Sequence, residues 1–190
     1  MTNPVLVTAT RGKLSESKHR GAICVTDADG GIVFACGDVD QPVFPRSAIK
    51  SMQALALVES GAADRYAFTD AQIALACSSH SGEPEHIATA ERMLAAAGLD
   101  ETVLECGGHW SSRQHVAIEQ ARRIKGEPTA ICNNCSGKHS GFVCTAVHQG
   151  IDPAGYISPD HAVQKNIRGI LENVTGALHQ TDQCGTDGCS

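Results

Sequence analysis

The sequence predicts an α+β protein in which a short β region comes first and a series of helices follows. In the β region, residues 21–38 (GAICVTDADGGIVFACGD) form two runs rich in Val, Ile, Phe and Cys around Asp29-Gly30, which is typical of a β-hairpin. In the helical region, apolar residues recur at helical spacing, and glycines follow several of these stretches. Apolar residues make up 42% of the 190 positions, which is enough for a packed core.

The helices can be predicted in chain order from their spacing and end signals. The first runs from Ser47 to about Glu59 and is followed by Gly61. After a short apolar segment at 71–82, Pro84 suits the first position of a second helix, which Gly98 ends. Three further helices are predicted at residues 112–126, 136–150 and 158–176, the last with Val163, Ile167, Ile170 and Leu171 on one face.

Composition and charge narrow the classes of partner. The net charge is −6 and no basic run is present, which argues against nucleic acid and anionic membranes as partners. The N-terminal residues lack the pattern of a secretion signal, and no apolar run is long enough to span a bilayer. The nine cysteines are therefore expected to be reduced thiols of a cytoplasmic protein that acts on a small molecule. The sequence does not determine the oligomeric state, and a homodimer is one of the alternatives left open.

Ser47 and Lys50 are the first candidates for chemistry, in the segment RSAIK at the start of a predicted helix. Residues i and i+3 share a helix face, and the helix dipole disfavours a cation in the first turn. A neutral lysine amine there can accept the proton of a serine nucleophile. The alternative is chance, because S-x-x-K occurs in many helices without any catalytic role.

Three other polar segments are candidates, each with a structural alternative. In CSSHSGE (77–83), the hydroxyls suit the mouth of a site, but Ser81 and Glu83 also suit a helix cap. In CNNCSGKHSG (132–141), the C-x-x-C pair suits redox chemistry, a metal half-site or simply buried thiols. In CGTDGC (184–189), Asp187 suits either a substrate ammonium or a turn.

Together, these segments resemble the bacterial asparaginase II family of the Rhizobium etli type. Six segments occur in the order of that family and cover nearly the whole chain: ESKHRGA (16–22), RSAIK (46–50), CSSHSGE (77–83), CGGHWS (106–111), CNNCSGKHSG (132–141) and GTDGC (185–189). The resemblance implies a fold like that of serine β-lactamases and penicillin-binding proteins, with an antiparallel sheet packed by a helical cluster. It also implies a single domain, of which residues 1–190 would be the N-terminal part.

The resemblance further implies an activity and roles for particular residues. The activity is hydrolysis of L-asparagine to L-aspartate and ammonia. Carried over by position, the catalytic residues are Ser47, Lys50 and Ser79; the substrate-binding residues are Arg46, His139 and Asp187; and the ligands of a zinc ion near the active site are Cys135, Lys138 and Cys189. These roles imply a mechanism in which Lys50 takes the proton of Ser47 and the Ser47 oxygen attacks the side-chain amide of L-asparagine.

Two alternatives to this function are kept. One is a related amidohydrolase, such as a glutaminase or a penicillin-recognising hydrolase. The other is an inactive, truncated zinc-binding fragment. The chain ends one residue after Cys189, so we expect the C-terminal strands and the lysine of a second Ser-Lys pair to be absent from it. We therefore expect the 190-residue chain to be poorly soluble and to have little or no activity when isolated.

Overall fold

Strands occupy the N-terminal part of the chain, as the sequence predicts. The computed structural model describes residues 3–180 and 183–185. Strand β1 (Val5–Arg11) pairs antiparallel with β2 (Leu14–Arg20), and β3 (Ile23–Thr26) pairs antiparallel with β4 (Ile32–Cys36). The predicted hairpin around Asp29-Gly30 is thus confirmed as β3–β4.

The turn between β3 and β4 is stabilised by a side chain that precedes the predicted turn dipeptide. The Asp27 carboxylate accepts the backbone N–H of Asp29 at 3.0 Å and that of Gly31 at 2.7 Å. Gly30 has a φ of 84°, a left-handed conformation that glycine adopts without strain. An Asx turn and a glycine therefore close this hairpin.

Helices make up most of the second part of the chain, which forms a compact unit from Pro45 onwards. They are α1 (Lys50–Gln53), α2 (Leu55–Glu59), α3 (Ala62–Arg65), α4 (Asp70–Ala76), α5 (Pro84–Ala96), α6 (Gln114–Arg123), α7 (Ser136–His148) and α8 (Ala162–Thr175). Short 3₁₀ turns lie at Arg46–Ile49, Glu101–Val103 and Ala130–Cys132. All the predicted helices are present, but the first is divided among the turn at Arg46–Ile49, α1 and α2.

Helix α7 is the centre of the helical unit and packs against α4, α5 and α2. Its residues from Ser136 to Ala146 are all buried. Gly137 allows the close approach of α4, because a Cβ at this position would lie 2.6 Å from both the side chain and the carbonyl oxygen of Leu75. The core of the unit therefore forms around the helix that begins with the segment SGKHSG.

The fold is mixed α+β, with two-stranded antiparallel sheets and a helical unit in the described residues. Residues 1–44 and 45–190 form separate compact units. The β-lactamase-like arrangement and the single-domain organisation implied by the resemblance remain predictions. Within the described ranges, none of the helices combines the length and the apolar character needed to cross a membrane.

Candidate active site

Ser47 and Lys50 lie where a 3₁₀ turn passes into a helix. Ser47 is part of the turn at Arg46–Ile49, and Lys50 is the first residue of α1. Arg46 has a φ of 50°, in the left-handed region that residues other than glycine rarely adopt. Ser47 is exposed, whereas Lys50 is only 3% exposed. The turn thus leaves the hydroxyl of Ser47 accessible and buries the amine of Lys50.

The buried amine of Lys50 donates three hydrogen bonds. Its Nζ donates to the Ser78 carbonyl oxygen at 3.0 Å, to Ser79 Oγ at 2.8 Å and to Cys135 Sγ at 3.1 Å. Ser79 Oγ donates in turn to Ser47 Oγ at 3.1 Å. Lys50, Ser79 and Ser47 therefore form a continuous hydrogen-bonded chain that ends at two exposed hydroxyls.

Ser79 belongs to the loop at 77–83, which joins α4 to α5 and is held by His80. The His80 backbone N–H donates to the Asn134 carbonyl oxygen at 3.0 Å. Its ring Nδ1 accepts the Gly82 N–H at 3.2 Å, so Nε2 carries the proton and lies 3.1 Å from Ser136 Oγ. These bonds fix the residue next to Ser79 against the start of α7.

His80 is neutral at physiological pH. Burial, together with smaller effects of the nearby His86, Lys50 and His109, lowers the pKa of its imidazole from 6.5 to about 4. The ring is buried and lies 5.1 Å from the ring of His86 in a stacked arrangement. A neutral ring is also what the hydrogen bonds require, because a protonated Nδ1 would lose the Gly82 N–H.

The other polar residues of this loop form a helix cap, as the structural alternative predicted. Glu83 and His86 form a capping box at the start of α5, in which the Glu83 N–H donates to His86 Nδ1 at 3.2 Å. The Ser81 hydroxyl donates to the Glu83 carboxylate at 2.9 Å. The loop therefore has both predicted features, since its first half carries Ser79 and its second half caps a helix.

His109 connects a third segment to the same region. Its Nδ1 donates to the Trp110 carbonyl oxygen at 2.9 Å, and its Nε2 accepts the Asn134 backbone N–H at 3.1 Å. Asn134 precedes Cys135, whose thiol contacts Lys50. The segments around residues 79, 109 and 134 are therefore bound together beside the Lys50 amine.

A cavity of about 280 Å³ opens beside Ser79. It is lined by residues of the three segments: Ser79, His80 and Ser81 from the first, His109, Ser111, Ser112 and Arg113 from the second, and Asn134 from the third. This volume is near the lower end of ligand pockets, so it suits a ligand of amino-acid size. The site thus combines a buried amine, two hydrogen-bonded serine hydroxyls and a small polar cavity.

A family model described as L-asparaginase II matches residues 7–190 of the chain. The chain belongs to the L-asparaginase II family. Membership implies the hydrolysis of L-asparagine by an amidohydrolase. A search of curated proteins found no match.

The structure brings together only some of the residues that the family resemblance assigns to the asparaginase site. Ser47, Lys50, Ser79 and Cys135 lie in one hydrogen-bonded group. Asp187 and Cys189 lie outside the described residues. His139 is 1% exposed, and its Nδ1 lies 2.8 Å from the hydroxyl of Tyr156, which is also buried. The assignment of His139 to substrate binding stays a prediction.

The zinc ligands predicted for the family can be compared with the donors at the start of α7. Cys135 precedes the helix and Lys138 lies in its first turn, and both are buried. The Lys138 amine is 5.5 Å from the centroid of the Phe142 ring, a cation–π distance. Cys135 fits zinc by type, whereas Lys138 is an unusual zinc ligand that can bind the ion only as a free amine. The described residues contain no group of three His, Cys, Asp or Glu side chains that could hold a metal.

Arg113 and Gln120 contribute to the site but were not identified from the sequence. Both lie in the predicted helix 112–126, where nothing in their spacing distinguishes them from surface residues. His109 also contributes to the site, and the sequence indicated it only through CGGHWS (106–111), one of the segments on which the family resemblance rests. The contributions of all three residues depend on contacts between segments that are distant in the chain.

Proposed function

We propose that this chain hydrolyses the side-chain amide of L-asparagine through an acyl-enzyme formed on Ser47. The observation that carries the proposal is the hydrogen-bonded chain from Lys50 Nζ through Ser79 Oγ to Ser47 Oγ, with steps of 2.8 and 3.1 Å. Family membership supports the substrate. The nearby cavity supports a substrate of this size.

Lys50 is the proton acceptor in this proposal. Its amine is 3% exposed, and its three acceptors are a carbonyl, a hydroxyl and a thiol. In this proposal, Lys50 is a free amine, the form in which lysine acts as a base. The Ser79 hydroxyl lies between Lys50 and Ser47. With Lys50 as a free amine, both hydroxyls rotate so that Ser47 donates to Ser79 and Ser79 donates to Lys50, and the Ser47 proton can then pass through Ser79 to the amine.

The reaction then proceeds in two stages. Ser47 Oγ forms a bond to the amide carbon while its proton moves through Ser79 to Lys50. The C–N bond breaks, and the Lys50 ammonium returns the proton to the departing nitrogen, which leaves as ammonia. Water then attacks the Ser47 ester and gives a proton to Lys50 through Ser79. The bond between the acyl carbon and Ser47 Oγ breaks, Lys50 returns the proton to Ser47, and L-aspartate is released.

Zinc is proposed as the metal of this site, held by Cys135, Lys138 and Cys189. When bound, the ion would order the pocket next to the serine pair rather than take part in the proton transfers. Support comes from the buried position of Cys135 and Lys138 at the start of α7, and from the contact of Cys135 with Lys50.

The function is tested by measuring ammonia release from L-asparagine, with variants Ser47→Ala, Ser79→Ala and Lys50→Met. Ser51→Ala is the matched control, because Ser51 is an exposed serine next to Lys50 in α1. Loss of a nucleophile or its base is expected to lower kcat by at least about 100-fold, whereas the control should retain the wild-type rate.

Mass spectrometry of the acid-quenched enzyme during turnover identifies the acylated serine. An aspartyl ester on the peptide that contains Ser47 supports the mechanism. An ester on Ser79 would overturn the assignment of Ser47 as the nucleophile and leave L-asparagine hydrolysis intact. No ammonia release by the wild-type chain would overturn the proposed function.

A further inference from the structure

We propose that the cavity beside Ser79 binds the α-carboxylate of the substrate and that Arg113 is the residue that anchors it. This inference rests on the proposed function, since it assigns a role to a subsite of the same active site. Ser79 and Arg113 both line the cavity, which has a volume of about 280 Å³. A ligand in it would therefore have the Ser79 hydroxyl and a guanidinium within reach together.

The charge of the cavity lining favours an anion. Arg113 is the permanently charged residue of the described lining, which contains no aspartate or glutamate. His80, whose Nδ1 accepts the Gly82 N–H, is neutral and adds no positive charge to the lining. Helix α6 begins immediately after Arg113, and the positive end of its dipole adds to the attraction.

Arg113 keeps hydrogen-bonding capacity for a ligand although it has an acidic neighbour. Its nearest guanidinium nitrogen lies 3.6 Å from Glu83 Oε1, a long and partly exposed ion pair. The Glu83 carboxylate also accepts the Ser81 hydroxyl and belongs to the capping box of α5. A guanidinium has five N–H donors, so a carboxylate ligand can bind two of them in parallel.

The segment that carries Arg113 is fixed relative to the loop that carries Ser79. Gln120, which is 5% exposed, accepts the Ser111 N–H at 2.9 Å and donates to the Gly82 carbonyl oxygen at 2.9 Å. The Ser111 hydroxyl accepts the Arg113 N–H at 3.1 Å. One buried side chain thus links the two walls of the cavity, as a preformed site requires.

These features select a small amide that also carries a carboxylate. Binding of the carboxylate by Arg113 would leave the side-chain amide of the same molecule free to approach the serine pair. Arg46, the residue that the family resemblance assigns to substrate binding, is not among the described residues that line this cavity. Assigning the α-carboxylate to Arg113 or to Arg46 therefore gives different predictions, which one experiment can distinguish.

The experiment compares Arg113→Gln, Arg113→Lys, Arg46→Gln and the control Arg123→Gln, whose arginine is exposed at the far end of α6. The substrates are L-asparagine and 3-aminopropanamide, which is the same molecule without the α-carboxylate. Arg113→Gln is expected to raise KM for L-asparagine about 10- to 100-fold, because a charged hydrogen-bonded pair is lost. Its kcat/KM for 3-aminopropanamide should stay at the wild-type value.

Several outcomes would overturn the proposal. They are an unchanged KM for L-asparagine in Arg113→Gln, an equal loss with both substrates, and a selective loss in Arg46→Gln alone. Partial recovery in Arg113→Lys supports it, since the positive charge is kept. Circular dichroism of each variant confirms that the fold is retained.

A binding measurement separates this inference from the proposed function. If the wild-type chain released no ammonia from L-asparagine, the proposed function would fail, and calorimetry with L-aspartate would still test the subsite. Binding weakened at least 10-fold in Arg113→Gln but not in Arg123→Gln would support it. Equal binding by both variants, or no saturable binding by the wild type, would overturn it.

Discussion

His80 illustrates how one residue couples the protonation of the site to its structure. The ring is buried, accepts the Gly82 N–H through Nδ1 and contacts Ser136 Oγ through Nε2. Because burial lowers its pKa from 6.5 to about 4, the folded state holds His80 neutral at a pH where the unfolded state binds a proton. Its contribution to stability is therefore complete above about pH 6.5 and is lost progressively as the pH falls towards 4.

We predict that His80→Gln makes the free energy of unfolding less dependent on pH between 6.5 and 4. The loss of wild-type stability due to His80 is at most about 3.5 kcal/mol, because each unit of the pKa difference between 6.5 and about 4 contributes about 1.4 kcal/mol. Denaturant unfolding at several pH values measures it. His115→Gln, which removes an exposed histidine of α6, should follow the wild-type curve. If the free energy of unfolding of His80→Gln depended on pH as strongly as that of the wild type, the lowered pKa of His80 would be contradicted.

The sequence predicted the local part of the site and missed the part that depends on folding. Ser47 and Lys50 could be paired from the sequence because residues three positions apart in a helix have neighbouring side chains. The structure joins them through Ser79, whose contact with Lys50 spans a long stretch of chain. Arg113 could not be predicted, because its proximity to Ser79 depends on contacts between distant segments, such as those made by Gln120.

At the scale of elements, α7 shows how a glycine fixes the distance between two helices. At Gly137 the nearest atoms to an added Cβ are the Cγ and the carbonyl oxygen of Leu75, both at 2.6 Å. The carbonyl belongs to the backbone of α4, which cannot rotate away as a side chain can. Since α4 leads directly into the loop of Ser79, the approach of these helices also positions the site.

We predict that Gly137→Ala lowers the free energy of unfolding by about 1–3 kcal/mol, the usual cost of overpacking a core. Gly169→Ala is the matched control in α8, because a Cβ there would meet no atom within 4 Å. In that open position alanine should raise stability by about 0.5–1 kcal/mol, since glycine is the poorer helix former. Denaturant unfolding of both variants measures the difference.

The outcome that would contradict this prediction is a stability of Gly137→Ala equal to or above that of the wild type. The substitution should also lower kcat, because displacement of α4 moves the loop that carries Ser79. Gly169→Ala should leave kcat at the wild-type value. A loss of stability in both variants would show that the helices, rather than the α4–α7 contact, respond to the extra methyl group.

The helices were predicted well where their end signals are local and less well where tertiary contacts set the ends. Pro84 and Ser136 begin α5 and α7 as predicted. Helix α8 begins at Ala162 rather than near Ser158, because the His161 side chain accepts the N–H of Val163 and caps it there. Its predicted apolar face is confirmed, with Val163, Ile167 and Ile170 buried.

At the scale of the whole molecule, the fold class could be predicted but the organisation of the sheet could not. Each hairpin depends on residues close in sequence, such as Asp27 and Gly30, so local patterns indicate it. Apolar side chains on both hairpins are exposed, among them Val7, Val33 and Phe34. Which strands lie beside which in a larger sheet depends on long-range pairing, on which a local pattern carries little information.

The proposed zinc site connects α7 with the C-terminal end of the chain, so zinc should stabilise the folded molecule. A ligand that binds only the folded state at a concentration 100 times its Kd adds about 2.7 kcal/mol. We predict that zinc raises the unfolding temperature of the wild-type chain by about 5–10 °C, which is the shift expected at this length.

Differential scanning calorimetry with zinc, and then with a chelator, measures this shift. Cys189→Ala should abolish the shift. Cys135→Ala should abolish it too, and it also removes the 3.1 Å contact of Cys135 with the Lys50 amine. Cys24→Ala, which removes an exposed thiol from the β region, is the control and should retain the full shift. An equal shift in Cys24→Ala and Cys189→Ala would mean that zinc binds elsewhere, and the proposed ligand set would be wrong.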